Sequence, residues 1–422
     1  MGSLKSKLKR LRGAGPGGAS ASGVSAAAPR SVTENLPWGE RLAVGSGEVR
    51  LIQTWLSADH THGHVPTGRA LEVDALTVAR LAFDPAVESV DLSRALFLDT
   101  ETTGLSGGAG TVPFLVGIGA FEDGCFRVEQ LLLERAGEER PMLEYLRARV
   151  ESASCIVTYN GKSFDWPLLR TRYVLNRVPM VKPAAHVDLL HAARRIYRRR
   201  LARTRLVDLE VEVLGFERVD DVGGAAIPEI YFQFLRDGVP GPLGGVLEHN
   251  VHDIVALAGI LSCLTEGYES LRLHEDGRDR LGYAEVAERH RDHGKAARFA
   301  HAAADAETGD AECRVRALLL AARVHRREGD VPGEGDALRE ALKHAEAAWL
   351  AKVHLELAKH YEHRVHDTSL ALEHATRTEE AEGESASQRR VARLERRRER
   401  QPPEMPTSAA GSGGVESSMS SR

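Results

Sequence analysis

Between residues 95 and 158 the apolar positions fall in short runs broken by turn-forming residues: ALFLD, VPFLVGIGAF, FRVEQLLLE and CIVTYN. Alternation, β-branched content and the turn at Glu122-Asp123-Gly124 predict an antiparallel meander of three strands. PMLEYLRARVESA then shifts to helical spacing through Met142, Leu143, Leu146 and Val150, after which CIVTYN reads as a short buried strand. Further on, VLEHNVHDIVALAGILSCL predicts a helix with a buried stripe of Leu247, Val251, Ile254, Ala258 and Leu261. Past about residue 275 strand patterns vanish and helical segments recur, with turns at His293-Gly294, Gly329-Asp330 and His366-Asp367 about 35 residues apart. The pattern is α/β first and all-α afterwards.

Composition narrows the class. With 422 residues and 42% hydrophobic content the chain can build two or three cores, and a net charge of −5 leaves any attraction for polyanions to local patches. Cys125, Cys155, Cys263 and Cys313 form no C-x-x-C pair, so neither a zinc site nor a disulfide framework is indicated, and a reducing cytoplasm is the expected location. No apolar run reaches membrane-spanning length, and the basic start (Lys5, Lys7, Lys9, Arg10, Arg12) leads into Gly, Ala and Ser rather than an apolar signal core. Residues 1–38 read as a disordered arm, and 39–93 as a preamble whose His60, His62 and His64 form at most a weak metal motif. Residues 386–422 read as a basic, then Ser/Gly-rich, disordered tail.

Candidate chemistry starts at the end of the first strand. Asp99 and Glu101 stand two apart, so a strand projects both from one side while Thr100 points away. Two such acids repel unless a cation lies between them, and a divalent ion is the natural candidate. After CIVTYN, Asn160-Gly161 supplies a turn, Ser163 is the expected N-cap, and Asp165 falls in the first turn of the next helix. His249 and Asp253 are i and i+4, about 40° apart on a helical wheel and on the face away from the apolar stripe. Carboxylate oxygens suit hard divalent ions.

The stretches LFLDTETTGL, YNGKSFDWPLL, HVDLLHAARR, LVDLEVEVLGF to GGAAIPEIY, and EHNVHDIVAL resemble the DEDD superfamily of 3′-to-5′ exonucleases. The likeness is nearer to a bacterial ribonuclease H-like family that often carries helical repeats. It covers residues 94–267 and implies a ribonuclease H-like mixed sheet flanked by helices, followed by tetratricopeptide-like repeats over 275–382 that would bind a protein partner. By this resemblance Asp99, Glu101, Asp165 and Asp253 are the metal-binding acids, two Mg²⁺ or Mn²⁺ ions are the cofactors, and the substrate is DNA or RNA. The histidine subclass of the superfamily places its general base where this chain has Glu248, and the tyrosine subclass where it has His249. Helical geometry favours His249 as the catalytic base, with Glu248 about 140° from Asp253 and His252 about 100° away as the alternatives. The competing reading is a catalytically silent nucleic-acid-binding or scaffold protein acting through its repeats.

One basic stretch lies between these motifs. HAARRIYRRRLARTRL carries Arg194, Arg195, Arg198, Arg199, Arg200, Arg203 and Arg205 around Tyr197. Guanidinium forks suit phosphates and a ring among them can stack on a base, so these arginines are the expected nucleic-acid track. Trp166, beside Asp165, is expected behind the site.

Overall fold

The structure, a computed structural model, describes residues 38–104, 110–271 and 276–400. The expected arm, except Trp38, and the Ser/Gly-rich end of the expected tail lie outside the described residues. The chain divides into two compact units, one ending at Gly309 and the other starting at Asp310.

In the first unit the strands are β1 (Glu40–Val44), β2 (Gly47–Ser57), β3 (Thr61–His62), β4 (Val65–Pro66), β5 (Ala95–Thr102), β6 (Pro113–Glu122), β7 (Cys125–Leu132), β8 (Cys155–Thr158) and β9 (His186–Asp188). Seven make one sheet in the order β1-β2-β7-β6-β5-β8-β9, while β3 and β4 pair separately. The predicted meander is β5, β6 and β7, each antiparallel to the next, and β8 and β9 continue the other edge in parallel. This is the expected ribonuclease H-like mixed sheet flanked by helices. The preamble is more than a preamble: β1 and β2 extend the sheet, with Leu51 opposite Leu131.

Helices of this unit are α1 (Ala75–Ala82), α2 (Arg140–Ser152), α3 (Asp165–Leu175), α4 (Leu189–Tyr197), α5 (Leu206–Leu209), α6 (Ile227–Asp237), α7 (Leu243–Glu269), α8 (Gly277–Arg289) and α9 (His293–Ala304). The four apolar positions read from α2 are all buried, in one core with Leu96, Leu98 and Ile156. Helix α7 departs from the single-stripe expectation, being buried almost all round from Asp253 to Leu264. It lies so close to β6 that a Cβ on Gly117 would come within 2.2 Å of Asn250 Oδ1. Glycine is required there by space alone.

The expected break at 267–275 is not where the unit ends. Arg199 Nη2 donates to Glu285 at 2.7 Å and Arg200 Nε to the buried Asp279 at 2.8 Å, tying the segment after α4 to α8. Composition marks the change from strands to helices, while long-range contacts, the Tyr268–Tyr283–Phe299 rings among them, carry the unit on through α8 and α9.

The second unit contains α10 (Ala311–Glu328), α11 (Val331–His344), α12 (Ala347–His360) continued by a π-helical turn (Tyr361–Val365), α13 (Thr368–Ala375), α14 (Glu379–Glu382) and α15 (Glu384–Glu399). Two predicted turns fall in place: Gly329 and His366 take positive φ, and Asp330 and Asp367 cap α11 and α13 through side-chain oxygens. The third is displaced, since Arg291 takes the positive φ, Asp292 caps α9, and His293-Gly294 already belongs to that helix. Residues 384–399 are helical where a tail was expected. Leu394 is fully buried and Arg390 and Arg393 pair with Glu362, which fixes an otherwise polar segment. No helix among the described residues is long and apolar enough to cross a membrane.

Candidate active site

Three elements bring the acids together. β5 carries Asp99 and Glu101, and its pairing with β6 shifts register between Glu101 and Thr102. Asp165 is the first residue of α3, reached through a turn in which Asn160 takes φ +66°. Ser163 does not cap that helix. The turn is held by Asp188 at the end of β9, which accepts from the backbone N–H groups of Asn160 (2.8 Å), Lys162 (3.1 Å) and Leu190 (3.1 Å). Thr100 does more than point away: its hydroxyl donates to Asp165 Oδ1 at 2.5 Å. α7 supplies His249 and Asp253, and between them Asn250, whose amide donates to Asp99 Oδ2 at 3.0 Å while its carbonyl accepts from Gln130.

The four carboxylates disturb one another. Burial first, then Asp253, Asp165 and Glu101, push Asp99 well above the ordinary carboxylate range, and Asn250 opposes this. Burial and Asp253 raise Glu101 to about 7, with His249 pulling down. Burial raises Asp165 to about 6 against the Thr100 hydrogen bond, and burial also raises Asp253 against Arg218. Like charges held this way mark a place built for added positive charge.

His249 faces the acids with Nε2, 3.5 Å from Asp253 Oδ2 and 3.8 Å from Glu101 Oε1. Its Nδ1 is 2.8 Å from Asp221 Oδ1 and 3.1 Å from Arg218 Nη1. One nitrogen cannot donate to the first and accept from the second. The carboxylate contact is shorter and its acceptor is the stronger, so the proton is assigned to Nδ1 and Nε2 is left as a lone-pair acceptor. Glu248 is exposed, and His252 turns its ring edge-on to Phe216 at 5.1 Å, so of the three base candidates His249 is the one beside the acids.

Arg218, Asp221 and Asn250 carry no role in the sequence reading, and all three are at the site. Asn250 sits between two singled-out residues and could have been noticed for that. Arg218 and Asp221 lie in an irregular connection whose spacing says nothing about where it folds back.

The donor set fits divalent ions: hard carboxylate oxygens predominate, and one donor atom each from Glu101, His249 and Asp253 lies within 4.8 Å of the others.

The basic stretch is only partly free. Arg195 donates to the Leu81 carbonyl and lies 4.0 Å over the Phe83 ring, Arg199 and Arg200 are tied to α8, and Arg205 pairs with Asp208. Tyr197 is fully buried and cannot stack on a base. Arg194, Arg198 and Arg203 are exposed. The segment borders the site, because the Tyr159 hydroxyl donates to the Thr204 carbonyl just ahead of the Asn160 turn. Trp166 is partly buried against the core, as expected.

Residues 96–265 match the model of the RNase_H superfamily. This stretch is an RNase_H superfamily domain, and it contains all four acids and His249. Over 204 residues the chain is 37% identical to the uncharacterized protein YprB of Bacillus subtilis (strain 168), an alignment covering 48% of this chain and 49% of that protein. The chain thus spans about half the length of this relative.

Proposed function

We propose that the protein is a metal-dependent nuclease, a 3′-to-5′ exonuclease acting through two divalent ions held by Asp99, Glu101, Asp165 and Asp253. The observation that carries the reading is the convergence of four mutually repelling carboxylates beside an imidazole whose Nε2 faces them. Bound Mg²⁺ or Mn²⁺ would activate water and neutralise charge on the phosphate. His249 Nε2 accepts the proton of the attacking water, while Asp221 holds the Nδ1–H and supports the imidazolium that results. Asn250 fixes the Asp99 carboxylate and Thr100 fixes Asp165, which limits reorganisation as the substrate enters. Arg194, Arg198 and Arg203 contact the substrate backbone. In the second unit, the helical hairpins whose first helices begin at Ala311 and Ala347 hold a protein partner in the manner of tetratricopeptide-like repeats.

The test is hydrolysis of single- and double-stranded DNA and RNA labelled at either end, with Mn²⁺ and with EDTA. Stepwise shortening from the 3′ end that requires Mn²⁺ and Asp99 supports the reading. Internal cleavage would replace exonuclease by endonuclease, and tight binding without turnover would favour a scaffold.

A further inference from the structure

The side chain of Arg218 is 6% exposed and stands among acids from three parts of the chain. On one side its Nε and Nη2 grip Glu210 Oε2 at 2.9 and 2.6 Å. On the other, Nη2 reaches Asp253 Oδ1 at 2.5 Å, and Nη1 lies 3.1 Å from His249 Nδ1 and 3.4 Å from Asp221 Oδ2. Glu210, itself 1% exposed, accepts at its second oxygen from His62 Nε2 at 2.7 Å, and the His62 ring stacks on Phe216 at 3.8 Å.

Two features of this arrangement matter. The two oxygens of Asp253 are divided: Oδ1 is held by Arg218, while Oδ2 is the one near His249 Nε2. And the charge of Arg218 is already balanced by Glu210, so the pair presents directed N–H groups to Asp253 without a net positive charge that would repel an incoming cation. An arginine serving only to neutralise Asp253 would need neither Glu210 nor the buried His62 behind it.

We infer that Arg218, anchored by Glu210 and His62, is a positioning residue for the cleft: it clamps Asp253 Oδ1 so that Oδ2 is left free for an ion, and its Nη1 holds Asp221, the acceptor of the His249 Nδ1–H. This rests on the divalent-ion reading above. It gives work to His62, a residue of the preamble, through two intermediates and without touching the cleft acids. Hydrogen-bonding partners of ligating carboxylates typically contribute about 10- to 100-fold to ion affinity.

The experiment is calorimetric titration of the ion-stripped full chain with Mn²⁺, alongside kcat and KM at saturating Mn²⁺ on the labelled strand cleaved in the assay above. Arg218→Ala should bind Mn²⁺ about 10- to 100-fold more weakly, with Arg218→Lys recovering part of the affinity. His62→Phe, which keeps a ring on Phe216 but cannot hydrogen-bond to Glu210, should weaken binding in the same direction by less. Even at saturating Mn²⁺, Arg218→Ala should keep a lowered kcat that Arg218→Lys restores in part, because Asp253 and Asp221 are no longer held; a purely structural ion pair would cost stability and leave the kcat of the folded protein in place. Unchanged or tighter Mn²⁺ binding by a folded Arg218→Ala overturns the inference. If that variant does not fold, unchanged affinity in both Arg218→Lys and His62→Phe overturns it equally. Failure of the wild type to bind Mn²⁺, or binding indifferent to Asp99→Asn, overturns the ion reading itself and the inference with it.

Discussion

Two regions of the first unit bury acids, and they treat them differently. At the start of α2, Glu139 takes a two-pronged grip from Arg172 and a further amide from Asn176. Glu129 likewise meets Arg149 at 3.0 Å, Arg127 at 3.2 Å and the Tyr145 hydroxyl at 2.5 Å. In the cleft, Asp99 has one amide, Asp165 a hydroxyl, Glu101 a histidine 3.8 Å away, and only Asp253 meets a guanidinium. The same fold can give its buried acids guanidinium partners. In the cleft it leaves them short of positive charge, which is the arrangement that the proposed ions would complete.

The sharpest break of that comparison is Asp99→Asn. Hydrolysis should fall to background, as it should for the wild type in EDTA, while the ion-free melting temperature stays level or rises because a repulsion is gone. Gel assays and calorimetry on one preparation read both. His249→Ala should lower the rate by about 10²- to 10⁴-fold, with Glu248→Ala mild. A crippling Glu248→Ala with a silent His249→Ala would move the base elsewhere.

In the paired region the expected cost is stability instead. Arg172→Ala leaves Glu139 buried and unpaired and should cost about 3–5 kcal/mol in denaturant unfolding, without changing the cleavage pattern of the remaining folded protein.

pH sharpens the contrast further. Glu101 and Asp165 have raised folded-state pKa values, about 7 and about 6, so their contribution is fully present below the unfolded-state values near 4 and is lost as pH climbs through the folded ones. The ion-free wild type should therefore lose stability relative to Glu101→Gln between about pH 4.5 and 7, by of order 1–3 kcal/mol, and Mn²⁺ should abolish the difference. His186, lowered to about 4 chiefly by burial, works in the opposite direction and is common to both proteins. A gap that does not change with pH would mean that the cleft acids do not repel as described.

The smallest effect belongs to the arginines. Replacing exposed Arg194, Arg198 and Arg203 by Ala should flatten the salt dependence of nucleic-acid binding, by up to about 0.7–0.9 in slope for each phosphate no longer neutralised. Replacing Arg199 and Arg200, tied to Glu285 and Asp279, should instead cost stability.

What the sequence determined by itself was local. The meander, α2, β8, α3 and α7 follow from periodicity and turn residues, and the acids could be named because each stands in a motif that its own element displays. Asp330 and Asp367 were legible as turn residues for the same reason, since a cap acts on the backbone a few residues away. What depended on distant partners was decided only in the fold. β1 and β2 join the sheet through an edge offered by β7, and α8 joins the first unit through Asp279 and Glu285. The basic stretch is divided by which side chains meet acids some 80 residues on, as Arg199 and Glu285 do. Arg218 shows the limit most clearly: Glu210 is only eight residues away, but nothing in that irregular stretch marks Arg218 as also the neighbour of Asp253, 35 residues on, or places His62 behind Glu210. A charge is placed by the low-dielectric surroundings and counter-charges that tertiary packing assembles, and a sequence pattern carries only the part of that field its own helix or strand creates.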